Sequence, residues 1–274
     1  MAVETTTFSN NSADTWFRDI MFDCVLCPRA CHVNRLAGQT GYCGQTAELM
    51  AARASLHYWE EPCISGTSGS GTVFFSGCNL RCVFCQNHNI ALGKAGRVIA
   101  PEHLAEIFLQ LQEQGANNIN LVTPTHFLPQ IVIALEQAKQ QGLHLPIVYN
   151  TGSYESPEAL RHLEGLVDIY LPDLKYFSPE LSTAYSHAPD YFETACAAIS
   201  EMYRQVGDSV IDEDTGLMQH GMIVRHLLLP GQTKDSKKIL RYLHETYGDH
   251  IYISIMNQYT PCLLYTSPSP RDTE

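Results

Sequence analysis

Three cysteines fall within the stretch SGCNLRCVFCQN at residues 76–87: Cys78, Cys82 and Cys85, a C-x3-C-x2-C spacing. A second group, Cys24, Cys27, Cys31 and Cys43, lies in CVLCPRACHVNRLAGQTGYC. Thiolates so spaced bind zinc or iron–sulfur clusters, and both normally take four protein ligands. The upstream group supplies four and makes a closed site, either a structural zinc or an auxiliary four-iron cluster. Gly38, Gly41 and Gly44 would let its backbone turn back toward the metal. The downstream group supplies three, which leaves three readings. A disulfide is poor, because three is odd and a reducing compartment opposes it. A Cys3His zinc site completed by His88 is chemically acceptable. The third is a four-iron cluster on three thiolates, with one iron open to a small molecule. Cys63 and Cys196 are isolated and read as small buried hydrophobes.

The elements that must position these groups follow from hydrophobic periodicity. Residues 1–23 are polar and read as a loosely ordered segment; 24–66 form a cysteine-rich metal module with little periodicity. SGTSGSG (65–71) reads as a turn or flexible link. Over 67–261 short apolar strands alternate with amphipathic helices. The strands are TVFFSG (72–77), INLVT (119–123), PIVYN (146–150), VDIYLPD (167–173), IVRHLLL (223–229) and IYISIM (251–256). Between them lie PEHLAEIFLQLQEQG, LPQIVIALEQAKQQG, SPEALRHLEG, DYFETACAAISEMYRQVG and KDSKKILRYLHETYG; the first two carry an early proline and end in a capping glycine. This pattern predicts an α/β fold with a parallel sheet covered by helices. Six repeats are too few for a closed eight-stranded barrel, so the expectation is a partial (β/α)6 barrel with a small N-terminal cysteine-rich metal module.

Ligands of such sheets gather at the C-terminal strand ends. Those ends carry, in order, the cysteine triplet, TPTH (123–126), NTGSYE (150–155), PDLK (172–175), PGQ (230–232) and NQY (257–259). Polar, charged and metal-binding residues thus recur on one rim. An open-iron cluster suits a loop there, whereas a closed zinc site would leave the position without a use.

Acids outnumber bases 29 to 17, a formal charge of −12 that repels phosphate backbones and argues against nucleic acid as a partner. The N-terminus has no secretory signal and no apolar run reaches membrane-spanning length. Ten cysteines in that context point to a cytoplasmic metalloprotein. The tail CLLYTSPSPRD resembles the translation of a sequencing-library adaptor. Residues 262–274 are therefore expected to be non-native, with the native chain cut near Pro261 and Cys262 excluded as a ligand.

The C-x3-C-x2-C motif, with Phe84 before its last cysteine and a strand before its first, resembles the radical S-adenosylmethionine (SAM) superfamily. CQN, NLVTPTHF, YNTGSYE, VDIYLPDLKY, RHLLLPG and MNQY extend the resemblance, over roughly residues 24–261, to the pyruvate formate-lyase-activating-enzyme-like group. The resemblance implies that Cys78, Cys82 and Cys85 hold a catalytic [4Fe–4S] cluster whose open iron binds SAM. The chemistry implied is reductive cleavage of SAM to methionine and a 5′-deoxyadenosyl radical that abstracts hydrogen, with the protein supplying binding and orientation. His88 then loses its role as a fourth ligand. Asp173-Leu174-Lys175 resembles the D-x-K of activating enzymes: Lys175 would pair with the SAM carboxylate and Asp173 would orient its neighbours. Arg225 and the following LPG resemble an R-x-x-x-P-G segment that shapes the SAM pocket. Surface or structural ion pairs compete with both assignments. The Gly-Gly-Glu that many members use for the SAM amine is replaced by Thr123-Pro124-Thr125-His126, so Thr125 or His126 would take that role. Asn150 and Thr151 would contact the ribose or carboxylate. The implied partners are SAM, an electron donor such as flavodoxin or ferredoxin, and a protein, peptide or small-molecule substrate, a glycine of a partner enzyme among them. The rival from another class is a non-catalytic zinc scaffold stapled by both cysteine groups.

Overall fold

The computed structural model describes residues 12–261, with side chains from residue 15 onward. The expected non-native tail and Cys262 lie outside the described residues. Strands β1 (Met50–His57), β2 (Ser70–Phe75), β3 (Arg97–Val98), β4 (Ile119–Val122), β5 (Ile147–Thr151), β6 (Ile169–Pro172), β7 (Val210–Ile211), β8 (Met218–Leu227) and β9 (Tyr252–Met256) share one sheet. Its order is β3-β1-β2-β4-β5-β6-β8-β7, with β9 also paired to β8. The run β2-β4-β5-β6-β8-β9 is parallel throughout and corresponds strand for strand to the six expected from the sequence. The sheet is open, as a partial barrel requires.

Helices α1 (Ser12–Phe22), α2 (Pro62–Ser65), α3 (His88–Ala91), α4 (Pro101–Glu113), α5 (Leu128–Gln140), α6 (Pro157–Leu160), α7 (Pro179–Ser186), α8 (Tyr191–Val206) and α9 (Thr233–Tyr247) fill the connections. Several begin on a proline in the first turn, where its missing N–H costs nothing. Ser156 and Ser178 add side-chain caps to α6 and α7. Strand alternation sends Val73, Phe75, Leu121, Ile147, Tyr149, Tyr170 and Val224 to one face. There they pack with Leu104 and Phe108 of α4, Ile131 and Leu135 of α5, Ile199 and Met202 of α8, and Ile239 and Leu243 of α9. Each large apolar side chain so buried contributes about 1.5–3 kcal/mol. On the inner face Val148, Ile169, Leu171 and Ile223 pack with Ile64 of α2, and that face also carries the polar residues Asn150 and Arg225.

Two segments differ from expectation. Residues 12–22 are helical where a loosely ordered stretch is expected. Trp16, Phe17, Ile20 and Met21 form one face that packs on the core, and Trp16 stacks on His162 at 3.7 Å. Within the cysteine-rich stretch, β1 pairs antiparallel with β2, so the sheet crosses the boundary expected at residue 66. Its residues are half-buried or exposed without alternation, which leaves no period-2 signal to read. Being edge-side of the parallel run, β1 and β3 also cover an edge that would otherwise be bare.

Candidate active site

Cys78, Cys82 and Cys85 follow the C-terminal end of β2. Gly77 makes the turn with φ +91°, and a Cβ there would lie 2.8 Å from the Cys43 carbonyl oxygen, so the loop's entry and the four-cysteine module touch. The loop is tied down at several points. Gly77 N donates to the Ile90 carbonyl at 2.9 Å and Val83 N to the Tyr185 carbonyl at 3.0 Å. Leu80 N lies 3.4 Å from Cys78 Sγ, and the Ser186 hydroxyl donates to Cys82 Sγ at 3.0 Å. Phe84 is buried among Tyr176, Tyr185 and Tyr259, with ring centroids 6.0–6.3 Å away. Burial pushes the Cys78 thiol up, and it pushes Cys85 up to about 12 with Cys78 and Cys82 adding to the effect. Metal binding must displace those protons.

The inner face presents one ionic cluster at the ends of β5, β6 and β8. Arg225 Nε donates to Asp173 Oδ1 at 2.8 Å, its Nη2 to Asn150 Oδ1 at 2.6 Å, and its Nη1 to Glu60 Oε2 at 3.2 Å. Lys175 Nζ donates to Asp173 Oδ2 at 2.5 Å. Burial alone would raise Asp173, but the Arg225 and Lys175 charges overcome it and hold the carboxyl below its usual range. Burial dominates at Glu60, which is raised despite Arg225. Two acids and two bases therefore offset one another within a rim that is 10–18% exposed.

Cys24, Cys27, Cys31 and Cys43 line a single cavity together with Arg29, Arg35, Gly41 and His126. A Cβ on Gly41 would sit 2.7 Å from Cys31 Sγ, so the glycine clears room for that thiol. Tyr42 N donates to Cys31 Sγ at 3.3 Å. Burial pushes Cys27 up to about 12 and raises Cys43, the latter opposed by Arg35. Arg35 is fully buried and fixes the module to the rim, donating to the Thr46 and His126 carbonyls at 2.6 and 2.8 Å. Among the described residues, no three His, Cys, Asp or Glu side chains gather around one point as a single metal ion would require. Thiols around a multi-iron cluster each meet their own iron and stand farther apart. The four upstream thiols line one cavity and the three downstream ones share one loop, donor sets that iron–sulfur clusters and zinc both take.

The predicted residues divide by place. Asn150, Asp173, Lys175 and Arg225 are brought together. Thr125 instead donates to Glu155 Oε1 at 2.5 Å, an oxygen that Thr151 also engages, and Tyr149 OH lies 3.5 Å away. Burial pushes Glu155 up to about 7. His126 Nε2 donates to the Ser76 carbonyl at 2.6 Å; burial drives its pKa down to about 3 and keeps the ring neutral. His88 heads α3, with Nδ1 buried and without a hydrogen-bond partner. Cys63 and Cys196 join neither cysteine group and are half-buried rather than buried as expected, with Cys196 against Tyr242. Sequence reasoning missed Glu60, Glu155, Arg29 and Ser186. Arg29 sits inside the Cys27–Cys31 interval and Glu155 closes NTGSYE, so those two had a positional signal; Glu60 and Ser186 had none.

Among the described residues five non-glycine residues have left-handed φ: Ala30 and His32 flank Cys31, Arg81 precedes Cys82, Ser153 follows β5 and His187 ends α7. Each such conformation costs on the order of 1–3 kcal/mol and persists where its surroundings impose it.

Comparison with known proteins gives these likenesses. Over 254 residues the chain is 28% identical to an uncharacterised protein of Methanocaldococcus jannaschii, covering 89% of this chain and 68% of that one. Over 121 residues it is 29% identical to the pyruvate formate-lyase-activating enzyme of Clostridium pasteurianum, covering 41% of this chain and 48% of that enzyme. Among solved structures, native anSMEcpe with bound AdoMet aligns at 16% identity and a TM-score of 0.45, covering 71% of this chain and 52% of that one. The same protein with AdoMet and a Kp18Cys peptide aligns at 15% identity and a TM-score of 0.46, covering 66% and 48%. The chain thus spans about half the length of the activating enzyme and of these structures. The sequence model of the radical SAM superfamily matches residues 72–243, from β2 and its cysteine loop into α9. With more than half of its length inside that match, the chain belongs to the radical SAM superfamily and is a radical SAM enzyme.

Proposed function

We propose that Cys78, Cys82 and Cys85 hold a [4Fe–4S] cluster whose fourth iron binds SAM, and that the ionic cluster on the inner face receives the amino-acid end of SAM. The observation that carries this reading is the juxtaposition of a three-thiol loop at the end of the first parallel strand with Asn150, Asp173, Lys175 and Arg225 at the ends of the following strands. When bound, cluster and SAM supply reductive cleavage to a 5′-deoxyadenosyl radical. The chain's own residues bind and orient. Lys175 carries a positive charge, raised by Asp173 against the effect of burial, and can pass from Asp173 to an incoming carboxylate. Asp173 and Glu60 offer acceptors to the ammonium. Arg225 holds both acids and Asn150 in place. Thr125, Thr151 and Glu155 brace the strand ends behind this surface.

The substrate is a protein, peptide or small molecule, with activation of a glycyl-radical enzyme suggested by the activating-enzyme relative. The reductant is a donor such as flavodoxin or ferredoxin. The four-cysteine cavity binds an auxiliary [4Fe–4S] cluster, with a structural zinc the alternative that its four thiols also suit. Residues 24–66 carry the auxiliary module and lend β1 and Glu60 to the catalytic core, which otherwise spans 67–261. Anaerobic reconstitution with iron and sulfide, followed by dithionite and SAM, is the test. The wild type should release 5′-deoxyadenosine, and Cys85→Ser should release none while keeping the metal of the four-cysteine site. A zinc-only protein with no reducible cluster would overturn the reading.

A further inference from the structure

Arg29 belongs to one cysteine group and acts on the other. It lies between Cys27 and Cys31, yet its guanidinium leaves the module. Nε donates to the Asn79 carbonyl in the Cys78–Cys85 loop at 2.8 Å, Nη2 to the Ser186 carbonyl at 2.8 Å, and Nη1 to the His187 carbonyl at 2.5 Å. Tyr42 and Tyr154 flank it, with ring centroids 3.9 and 5.0 Å from Cζ. The groups it holds are themselves fixed to the loop. Asn79 Nδ2 donates to the Tyr154 carbonyl at 2.6 Å, and the Ser186 hydroxyl, 2.7 Å from Tyr176 OH, donates to Cys82 Sγ. His187, left-handed at φ 50°, ends α7 where its carbonyl meets Arg29. Three carbonyls from two separate segments are spanned by one planar fork, a geometry that lysine or glutamine does not reproduce.

We propose that Arg29 is a positioning residue for the radical reaction: from within the four-cysteine module it sets the Cys78–Cys85 loop and, through Ser186, the Cys82 thiolate. This rests on the radical SAM reading of those three cysteines. Hydrogen bonds to a ligating sulfur raise a cluster's potential, and a small misplacement of reacting groups lowers rate steeply. Arg29 therefore affects potential and turnover through the carbonyls it holds.

Full-length wild type, Arg29→Lys and Arg29→Gln are reconstituted anaerobically. Iron content, the EPR signal of the reduced cluster with and without SAM, and 5′-deoxyadenosine formation at saturating SAM are then compared. Arg29→Gln should keep its iron, change the SAM-dependent EPR signal and lose about ten-fold in rate, with Arg29→Lys recovering part of both. A structural tie alone would lower the melting temperature and leave the signal and the rate per loaded cluster unchanged; that result overturns the proposal. Should Arg29→Gln fail to load iron, Ser186→Ala removes the hydroxyl on Cys82, together with its contact to Tyr176 OH. It should move the cluster's midpoint potential to a more negative value, and an unchanged potential overturns the route through Ser186. A wild type that loads iron but never cleaves SAM sinks the underlying reading, and this proposal with it.

Discussion

The two cysteine groups meet at Gly77 and Cys43 but have opposite surroundings. The three-cysteine loop continues a parallel strand and stands on the rim with Asp173, Lys175, Arg225 and Glu60, groups able to exchange partners with a charged ligand. The four-cysteine group is held in irregular backbone, capped by the buried Arg35 and by His126, whose neutral ring is already engaged with Ser76. One set of thiols sits beside an ionic cluster of two acids and two bases; the other sits beside Arg35 and His126, whose Nδ1 is buried without a hydrogen-bond partner. Ligand count alone ranks the four-cysteine motif as the more complete site. Surroundings rank the other as the more reactive.

The sharpest break of this comparison removes one thiol from the closed group. Cys27→Ser should lose roughly half of the total iron, the share of one of two four-iron clusters, and should lower the melting temperature, because Cys27 lies where the module meets the barrel rim. SAM cleavage should fall but persist, in contrast to its complete loss in Cys85→Ser. Iron analysis and 5′-deoxyadenosine formation on the same samples check this. Equal loss of activity in both variants would erase the distinction between the two groups.

The second effect concerns the charges beside the three-cysteine loop. Asp173→Asn takes the carboxylate partner from Lys175 and leaves Arg225 with Glu60, and breaking a buried ionic network in this way costs about 3–5 kcal/mol. Denaturant unfolding should show that loss, and SAM affinity should weaken as Lys175 loses its placement. Iron at the four-cysteine site should be unchanged. Glu106→Ala provides the control: Glu106 pairs with His103 at a site more than half exposed to solvent, where such a pair is worth about 0–1 kcal/mol.

The same contrast explains what was legible in the sequence. The parallel run could be read because its strands are short apolar blocks separated by amphipathic helices, and period is a property of local sequence. The cysteine loop could be read because ligand spacing is local as well. Asn150, Asp173, Lys175 and Arg225 could be placed on one rim because each ends or follows a strand. Glu60 could not: it arrives from the β1–α2 connection and reaches Arg225 across 165 residues of chain. Ser186 reaches Cys82 across 104. The inner-facing role expected of Thr125 relied on the family's usual use of that strand end, and a buried Glu155 draws its hydroxyl elsewhere. Half-buried β1 and the single-faced α1 lacked a pattern strong enough to outweigh the cysteines and polar residues around them.

Glu155 tests how closely the two groups are joined, through the smallest of these effects. Its carboxyl accepts from Thr125 and Thr151 at the strand ends, and its charge also bears on Cys27. Burial raises its pKa from 4.5 to about 7. The folded state therefore holds a proton that the unfolded chain has released between those values, so stability falls as pH rises from about 4.5 and levels off above about 7. A shift of that size is worth at most about 3 kcal/mol. Glu155→Gln keeps an oxygen for the two threonines and removes the titration. The variant should melt higher than the wild type at pH 8, and the gap should close toward pH 5. If the brace serves both cysteine groups, the wild-type decline should also appear in the iron retained at the four-cysteine site. A decline confined to global melting, with iron content flat across the range, would mean that the groups touch at Gly77 and Arg29 but are not coupled through the strand ends.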